Sequence, residues 1–191
     1  MSRIPNPALW LGLAGVLPFY AVPIFIWVIG TADADGVSDG AAGLIYFMLV
    51  AQLTYAAIIA SFLGAIHWGL AMANMTIASG RDDSGQPTPM RWAAEGERPL
   101  HYQLAIRQML WSVVPALAGW GLLLALHLGR SASVPLLGLA ALLLATYLAD
   151  RIIVRADMAP GWLLDLRRPL TWLAAGGLVL TWVVLEVIQR F

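Results

Sequence analysis

Cysteine is absent from the 191 residues, which removes disulfides, thiolate catalysis and Cys-ligated metals together. Lysine is absent too, so all eleven basic residues are Arg. Beside the richness in Ala, Gly, Leu and Trp, this usage points to a GC-rich bacterial genome rather than to guanidinium chemistry. Charge is scarce. Only 12% of residues carry it against 60% that are hydrophobic, a balance that no water-soluble domain of this length covers with polar surface. Formal charge is zero, which leaves no basic footprint for nucleic acid. Also missing are a nucleophile elbow, a phosphate-cradling Gly loop, an Asp-rich prenyl-diphosphate motif and a paired-carboxylate constellation. The chain therefore reads as non-enzymatic, with no cofactor and no metal.

What fills the sequence is apolar. Residues 4–32, 40–80, 108–129, 131–149 and 169–185 contain no Asp, Glu or Arg. A bilayer core roughly 30 Å thick takes about 20 apolar helical residues, so each stretch supplies one span. The expected fold is all-α: a single polytopic bundle of five transmembrane helices over about 7–30, 44–72, 109–128, 135–153 and 170–188, with a polar loop at 73–108. The second stretch is long enough for two short segments. It has no Pro and no turn pair between residues 44 and 72, so one long, tilted helix is the reading. Arg3 ahead of an apolar run and Ala-Asp-Ala at 32–34 resemble a signal peptide, but the uncharged run exceeds the usual core of about 7–15 residues.

The arginines orient these spans. Arg3, then Arg81, Arg91, Arg98 and Arg107, then Arg151, Arg155, Arg167 and Arg168 fall on one side, nine of the eleven; Arg130 and Arg190 fall on the other, with Asp33, Asp35 and Asp39. The positive-inside rule puts the N-terminus in the cytoplasm and the C-terminus in the periplasm, in a bacterial inner membrane. In the second span Ala57, Ser61, Ala65 and Gly69 recur every four residues, with Ala56, Ala60 and Gly64 in a parallel row. Small residues at that spacing let helices approach closely where lipid offers no hydrophobic drive. Ala116, Ala118 and Gly119 in the third span and 174–177 in the last offer matching smooth surfaces, so the bundle is expected to centre on the second helix.

Once oriented, the polar residues collect at one depth, at the cytoplasmic ends of the helices. His67, Trp68, Trp111, Ser112, Asp150, Arg151, Arg167 and Trp172 form a candidate pocket for a ligand or partner. Part of that layer is the Trp and Arg belt of any membrane protein, yet intramembrane His and Asp are expensive unless paired or hydrated. His67 suits a proton relay, a haem ligand or a packed hydrogen-bonding residue. Haem is disfavoured because His127 lies at the other end of its span and His101 in the loop. A hydrogen bond to Asp150 or Ser112 is the expected fate of His67, and Asp150 either pairs with the adjacent Arg151 or finds a specific partner.

Several motifs carry a family resemblance: Ser61-Phe62-Leu63-Gly64-Ala65-Ile66-His67-Trp68-Gly69; Trp111-Ser112-Val113-Val114-Pro115 with Trp120; Asp150; Pro160-Gly161-Trp162, Leu166-Arg167 and Leu170-Thr171; and, at the start, Pro7-Ala8, Leu11-Gly12, Gly15 and Pro18-Phe19. Together they resemble a bacterial inner-membrane family of unknown activity whose mitochondrial relatives are called transmembrane protein 69. The resemblance implies a small polytopic protein and supplies no catalytic residues. The expected role is an accessory subunit or assembly factor of a respiratory or photosynthetic complex, with a protein partner in the membrane. The alternative is a lipid- or quinone-binding protein or carrier whose pocket lies in the cytoplasmic leaflet.

Overall fold

The computed structural model describes residues 4–32, 38–77 and 98–189, with backbone alone at 73–77 and 98–102. Every regular element among them is helix: α1 Asn6–Gly30, α2 Asp39–Ile77, α3 Arg98–His127, α4 Ser133–Arg155 and α5 Trp162–Ile188. All five are long and apolar enough to cross a membrane. In hydrocarbon a helix satisfies its backbone internally, which is why these runs take that form. α2 is one continuous helix, not two short segments. Two starts are earlier than the apolar runs suggest. α3 begins at Arg98 instead of 109, and α5 begins at Trp162 instead of 170, so it takes in Asp165, Arg167, Arg168 and Pro169. The expected loop at 73–108 is thus helical at both ends, and its middle, 78–97, lies outside the described residues, as do Arg3, Arg190, Asp33 and Asp35.

Each helix buries a row spaced alternately by three and four residues. In α1 the row is Val16, Phe19, Pro23 and Ile26; in α2 it is Leu53, Ala57, Ala60, Gly64, His67 and Ala71; in α3, Ala105, Gln108, Ser112, Pro115 and Gly119. α4 buries Leu136, Leu139, Leu143, Thr146, Asp150 and Ile153, and α5 buries Arg167, Thr171, Ala174, Leu178 and Thr181. A mean step of 3.5 residues keeps a stripe facing the same neighbour along the whole helix. The strict four-residue row expected in α2 behaves differently. Four residues turn about 40° past a full rotation, so Ala57 to Gly69 winds through about 120°. Accordingly Ala57 is buried and Ser61 half-buried, but Ala65 and Gly69 face outward. The packing face is the row through Ala60 and Gly64.

Close contacts fix the registers. Ala57 meets Gly119 and Gly64 meets the Ser112 carbonyl, so α2 and α3 run antiparallel along their small-residue rows. Gly12 faces Leu170, Gly177 faces Phe19 and Gly30 faces Ile188, a constant offset that sets α1 and α5 side by side and parallel. The helices close a ring in which α1 touches α2 and α5, α3 touches α2 and α4, and α4 touches α5, with one contact across it, α2 to α4. The bundle is therefore not centred on α2 alone. The smooth stretch of α5 around Gly177 takes α1, where a methyl on Gly177 would stand 2.7 Å from Phe19 Cβ.

Prolines inside helices leave carbonyls to satisfy. Pro23 has no N–H for the carbonyl of Phe19, and Gln52 Nε2 of α2 donates to that oxygen at 3.0 Å. One turn away the Tyr55 hydroxyl donates to the Gly15 carbonyl at 2.8 Å. These two bonds clip α1 to α2 near mid-span. Overpacking a tight helix contact costs about 1–3 kcal/mol. Gly64→Leu is expected to lower unfolding stability in detergent by at least that much because it drives a side chain into the Ser112 backbone. Gly69→Leu, with open space around it, is expected to leave the unfolding midpoint unchanged.

Candidate functional site

At the α2–α4 crossing, three seam positions carry charge or imidazole. His67 Nε2 lies 2.9 Å from Asp150 Oδ1, Arg167 Nε donates to Asp150 Oδ2 at 2.7 Å, and Arg167 Nη2 donates to Thr146 Oγ1 at 3.3 Å. All are almost inaccessible: His67 is 1% exposed, Asp150 3%, Arg167 7% and Thr146 not at all. Thr146 Oγ1 passes its own proton to the Leu143 carbonyl at 2.8 Å, which leaves its lone pairs for the guanidinium. An ionised carboxylate only accepts, so the proton shared with His67 sits on Nε2. Asp150 and Arg167 cancel each other's charge, which makes their burial among helices in lipid tolerable.

Asp150 lies five residues before the end of α4 at Arg155 and Arg167 five residues after the start of α5 at Trp162, so each is about 8 Å inside its helix end at 1.5 Å per residue.

Of the eight residues singled out from the sequence, the structure joins His67, Asp150 and Arg167. The expected hydrogen bond from His67 goes to Asp150, whereas the Ser112 hydroxyl donates to the Met109 carbonyl at 2.6 Å. Asp150 pairs with Arg167 on the next helix and not with its neighbour Arg151, because the following residue on a helix points some 100° away. Ser112 faces Gly64 in the α2–α3 seam. Trp111 is half-buried and its indole N–H has no partner. Trp68 and Trp172 face outward, and Trp68 Nε1 donates to Met72 Sδ at 2.9 Å. These two aromatic rings are on the outer surface of the bundle and are not in the wall of the cleft beside the cluster.

Beyond those eight, Gln52, Thr181, Thr146, Thr171 and Gln108 are buried polar residues too, the last three close to the cluster in level. The signal that finds them is seam spacing, since Thr146 precedes Asp150 and Thr171 follows Arg167 by one turn on the same face. Gln108 was read as loop. It lies instead on the α3 row, between the levels of His67 and Ala71 on α2, with both side-chain polar atoms unpartnered, like His67 Nδ1 and Thr171 Oγ1. Among the described residues no three His, Cys, Asp or Glu gather as a metal site. The His101 side chain is outside the described ones, and His127 is exposed on α3, bonded to the Leu123 carbonyl.

Beside the cluster is a cleft of about 370 Å³. Its walls are Ala8, Leu11, Gly12, Gly15, Val16 and Phe19 of α1, Ile59, Phe62, Leu63 and Ile66 of α2, and Trp162, Leu163, Leu166, Arg167, Leu170, Thr171 and Ala174 of α5, with Leu143 of α4 behind. The backbones of α2 and α5 stay apart among the described residues, with α1 bridging them on one side and α4 on the other. The Tyr55–Gly15 bond closes its inner end, and exposed Leu11 and Phe62 mark its opening toward lipid. Of the eight sequence candidates only Arg167 lines it, and Arg167 and Thr171 are the polar side chains of its wall apart from the Trp162 indole.

A family model for proteins of unknown function, DUF3429, matches residues 4–183. The chain belongs to the DUF3429 family. It is also 36% identical over 72 residues to Transmembrane protein 69 of Xenopus tropicalis, a stretch covering 38% of this chain and 24% of that protein. No solved structure matches. The family, the relative and the five spanning helices together make this DUF3429 member a multi-pass membrane protein.

Breaking a buried ion pair from one side costs about 3–5 kcal/mol because the remaining charge is stranded, whereas an apolar pair of similar volume is often tolerated. Asp150→Ala is therefore expected to destabilise the protein by roughly 3 kcal/mol in detergent unfolding. Combining Asp150→Leu with Arg167→Met should recover most of that loss. His67→Gln, which removes one hydrogen bond, should cost only about 1 kcal/mol.

Proposed function

We propose that this protein binds a membrane amphiphile in the lateral cleft between α1, α2 and α5, with the polar head beside Arg167 and the tail along α1. One observation carries the reading: an apolar cleft between three membrane-spanning helices has two buried polar side chains in its wall. Binding sites of this kind are mostly apolar, with a few placed polar groups that orient the ligand. The cluster of His67, Asp150 and Thr146 then holds the Arg167 guanidinium at a fixed position in the wall. No group around the cleft is arranged as a nucleophile with a base, so binding or carriage accounts for the site better than catalysis.

The arginine distribution supports placing this cleft in the cytoplasmic leaflet of a bacterial inner membrane, N-terminus inside and C-terminus outside. A second reading, as an accessory subunit or assembly factor of a respiratory or photosynthetic complex, draws on a shallow groove between α3 and α4. Ala118, Gly121, Gly138, Ala141 and Ala145 line it, a smooth surface on which another membrane helix can seat.

Native mass spectrometry from mild detergent tests the binding reading. The protein is expected to carry an amphiphile that Ala8→Phe, which fills the cleft from its rim, displaces without loss of the fold. Recovery with a stoichiometric protein partner and no ligand would replace this reading by the second. For orientation, a C-terminal alkaline phosphatase fusion is expected to be active and a C-terminal green fluorescent protein fusion dark; the reverse pattern inverts the topology.

A further inference from the structure

The chemistry of the cleft wall narrows the head of its occupant. Arg167 and Thr171 are successive seam residues of α5, one turn apart, and both line the cavity. Thr171 is 3% exposed, and its buried hydroxyl has no hydrogen-bond partner among the described residues. A helical Thr commonly turns its hydroxyl back to the carbonyl one turn earlier, as Thr181 does to Gly177 at 3.0 Å. Thr171 does not, and a buried hydroxyl without a partner is a standing cost of about 1–3 kcal/mol unless something bound in the cleft accepts from it. Beside it is a guanidinium, which only donates. The head must therefore present an acceptor.

Charge decides what kind of acceptor. Asp150 holds Arg167 through Oδ2 at 2.7 Å, so the pair is neutral before any ligand arrives. An anionic head here would leave a net negative charge among membrane-spanning helices, where unpaired charge is costly. A neutral carbonyl accepts from both donors without that penalty. Shape adds to this. Trp162 and Arg167 both stand in the wall, and an indole and a guanidinium are side chains on which a flat ring packs well. The cavity, at about 370 Å³, is at the small end of ligand sites, room for one ring and part of one tail rather than for a two-chain lipid.

Resting on the amphiphile-binding reading above, we infer that the occupant is an isoprenoid quinone, its ring carbonyl accepting from Thr171 and Arg167 and its tail lying along Gly12, Val16 and Phe19 toward the bilayer centre. Thr171 is then a ligand-positioning residue with no structural bond of its own.

The test uses the full chain in nanodiscs titrated with a short-tailed benzoquinone, bound quinone being measured against empty discs. Saturable uptake of about one quinone per protein is expected. Thr171→Val, which keeps the shape and removes the hydroxyl, should weaken it about fivefold, the worth of one hydrogen bond, while the melting temperature of the ligand-free protein rises because the unpartnered hydroxyl is gone. Ala8→Phe should abolish it. Equal uptake by loaded and empty discs, or an affinity unaltered in Thr171→Val, overturns the inference. If a phospholipid or fatty acid is retained instead and is lost in Ala8→Phe, the quinone assignment fails while the amphiphile-binding reading stands. If neither variant nor parent holds any amphiphile, both fail.

Discussion

A carboxylate among helices in lipid stays ionised only in contact with a cation, and Asp150 meets that demand through Arg167. Much else in the bundle follows from that pair. It lets α5 begin at Trp162, because an arginine that has found a carboxylate need not remain in an interfacial loop. It binds α4 to α5, and through His67 it also binds α4 to α2, the one contact that crosses the ring of helices. Bringing α2 and α5 to opposite sides of α4 keeps them apart from each other. The gap between them, covered on the far side by α1, is the cleft. The same ion pair therefore supports the fold and supplies the polar wall of the cavity.

Elsewhere the bundle uses the means available where water and the hydrophobic effect give no help: small residues and buried hydrogen bonds. Gly64 and Gly119 let α2 and α3 approach to backbone contact, and Gly177 admits Phe19. The proline of α1 that frees the Phe19 carbonyl is answered from α2 by Gln52, so a local defect in one helix becomes a link between two. The clip lies on the inner side of the cleft. Toward the ends of α1 and α2 at which Ala8 and Ile66 sit, the lining is side chains with no such bond, and there the two helices leave room for a ligand.

How much of this was legible depended on the kind of question. The existence and approximate centres of the five helices were read from uncharged runs, since the bilayer demands length and apolarity and little else. The polar layer was also visible, and His67 and Asp150 stood out because lipid makes such residues costly. Of the two small-residue rows visible in α2, the one through Ala60 and Gly64 is buried and the other turns outward after Ser61. Four-residue repetition of Ala57, Ser61, Ala65 and Gly69 catches the eye in a sequence, but a helix turns that row away from its neighbour, and the alternating three-and-four row through His67 is the one that stays buried. The same periodicity marks Thr146, Gln108 and Thr171, residues too ordinary to notice by type.

What the sequence determined alone was the medium and the helical form, because these rest on local properties: apolar length and composition. Which inward residues meet was decided only by tertiary structure. Asp150 had Arg151 beside it in the chain and Arg167 on another helix, and it chose the second; His67 had Ser112 and Asp150 within reach by depth, and met Asp150. Those choices depend on the sliding register and crossing of whole helices, set by glycine contacts far from the charged cluster. The cleft is more distant still from the sequence, since a cavity is defined by the helices whose backbones stay apart.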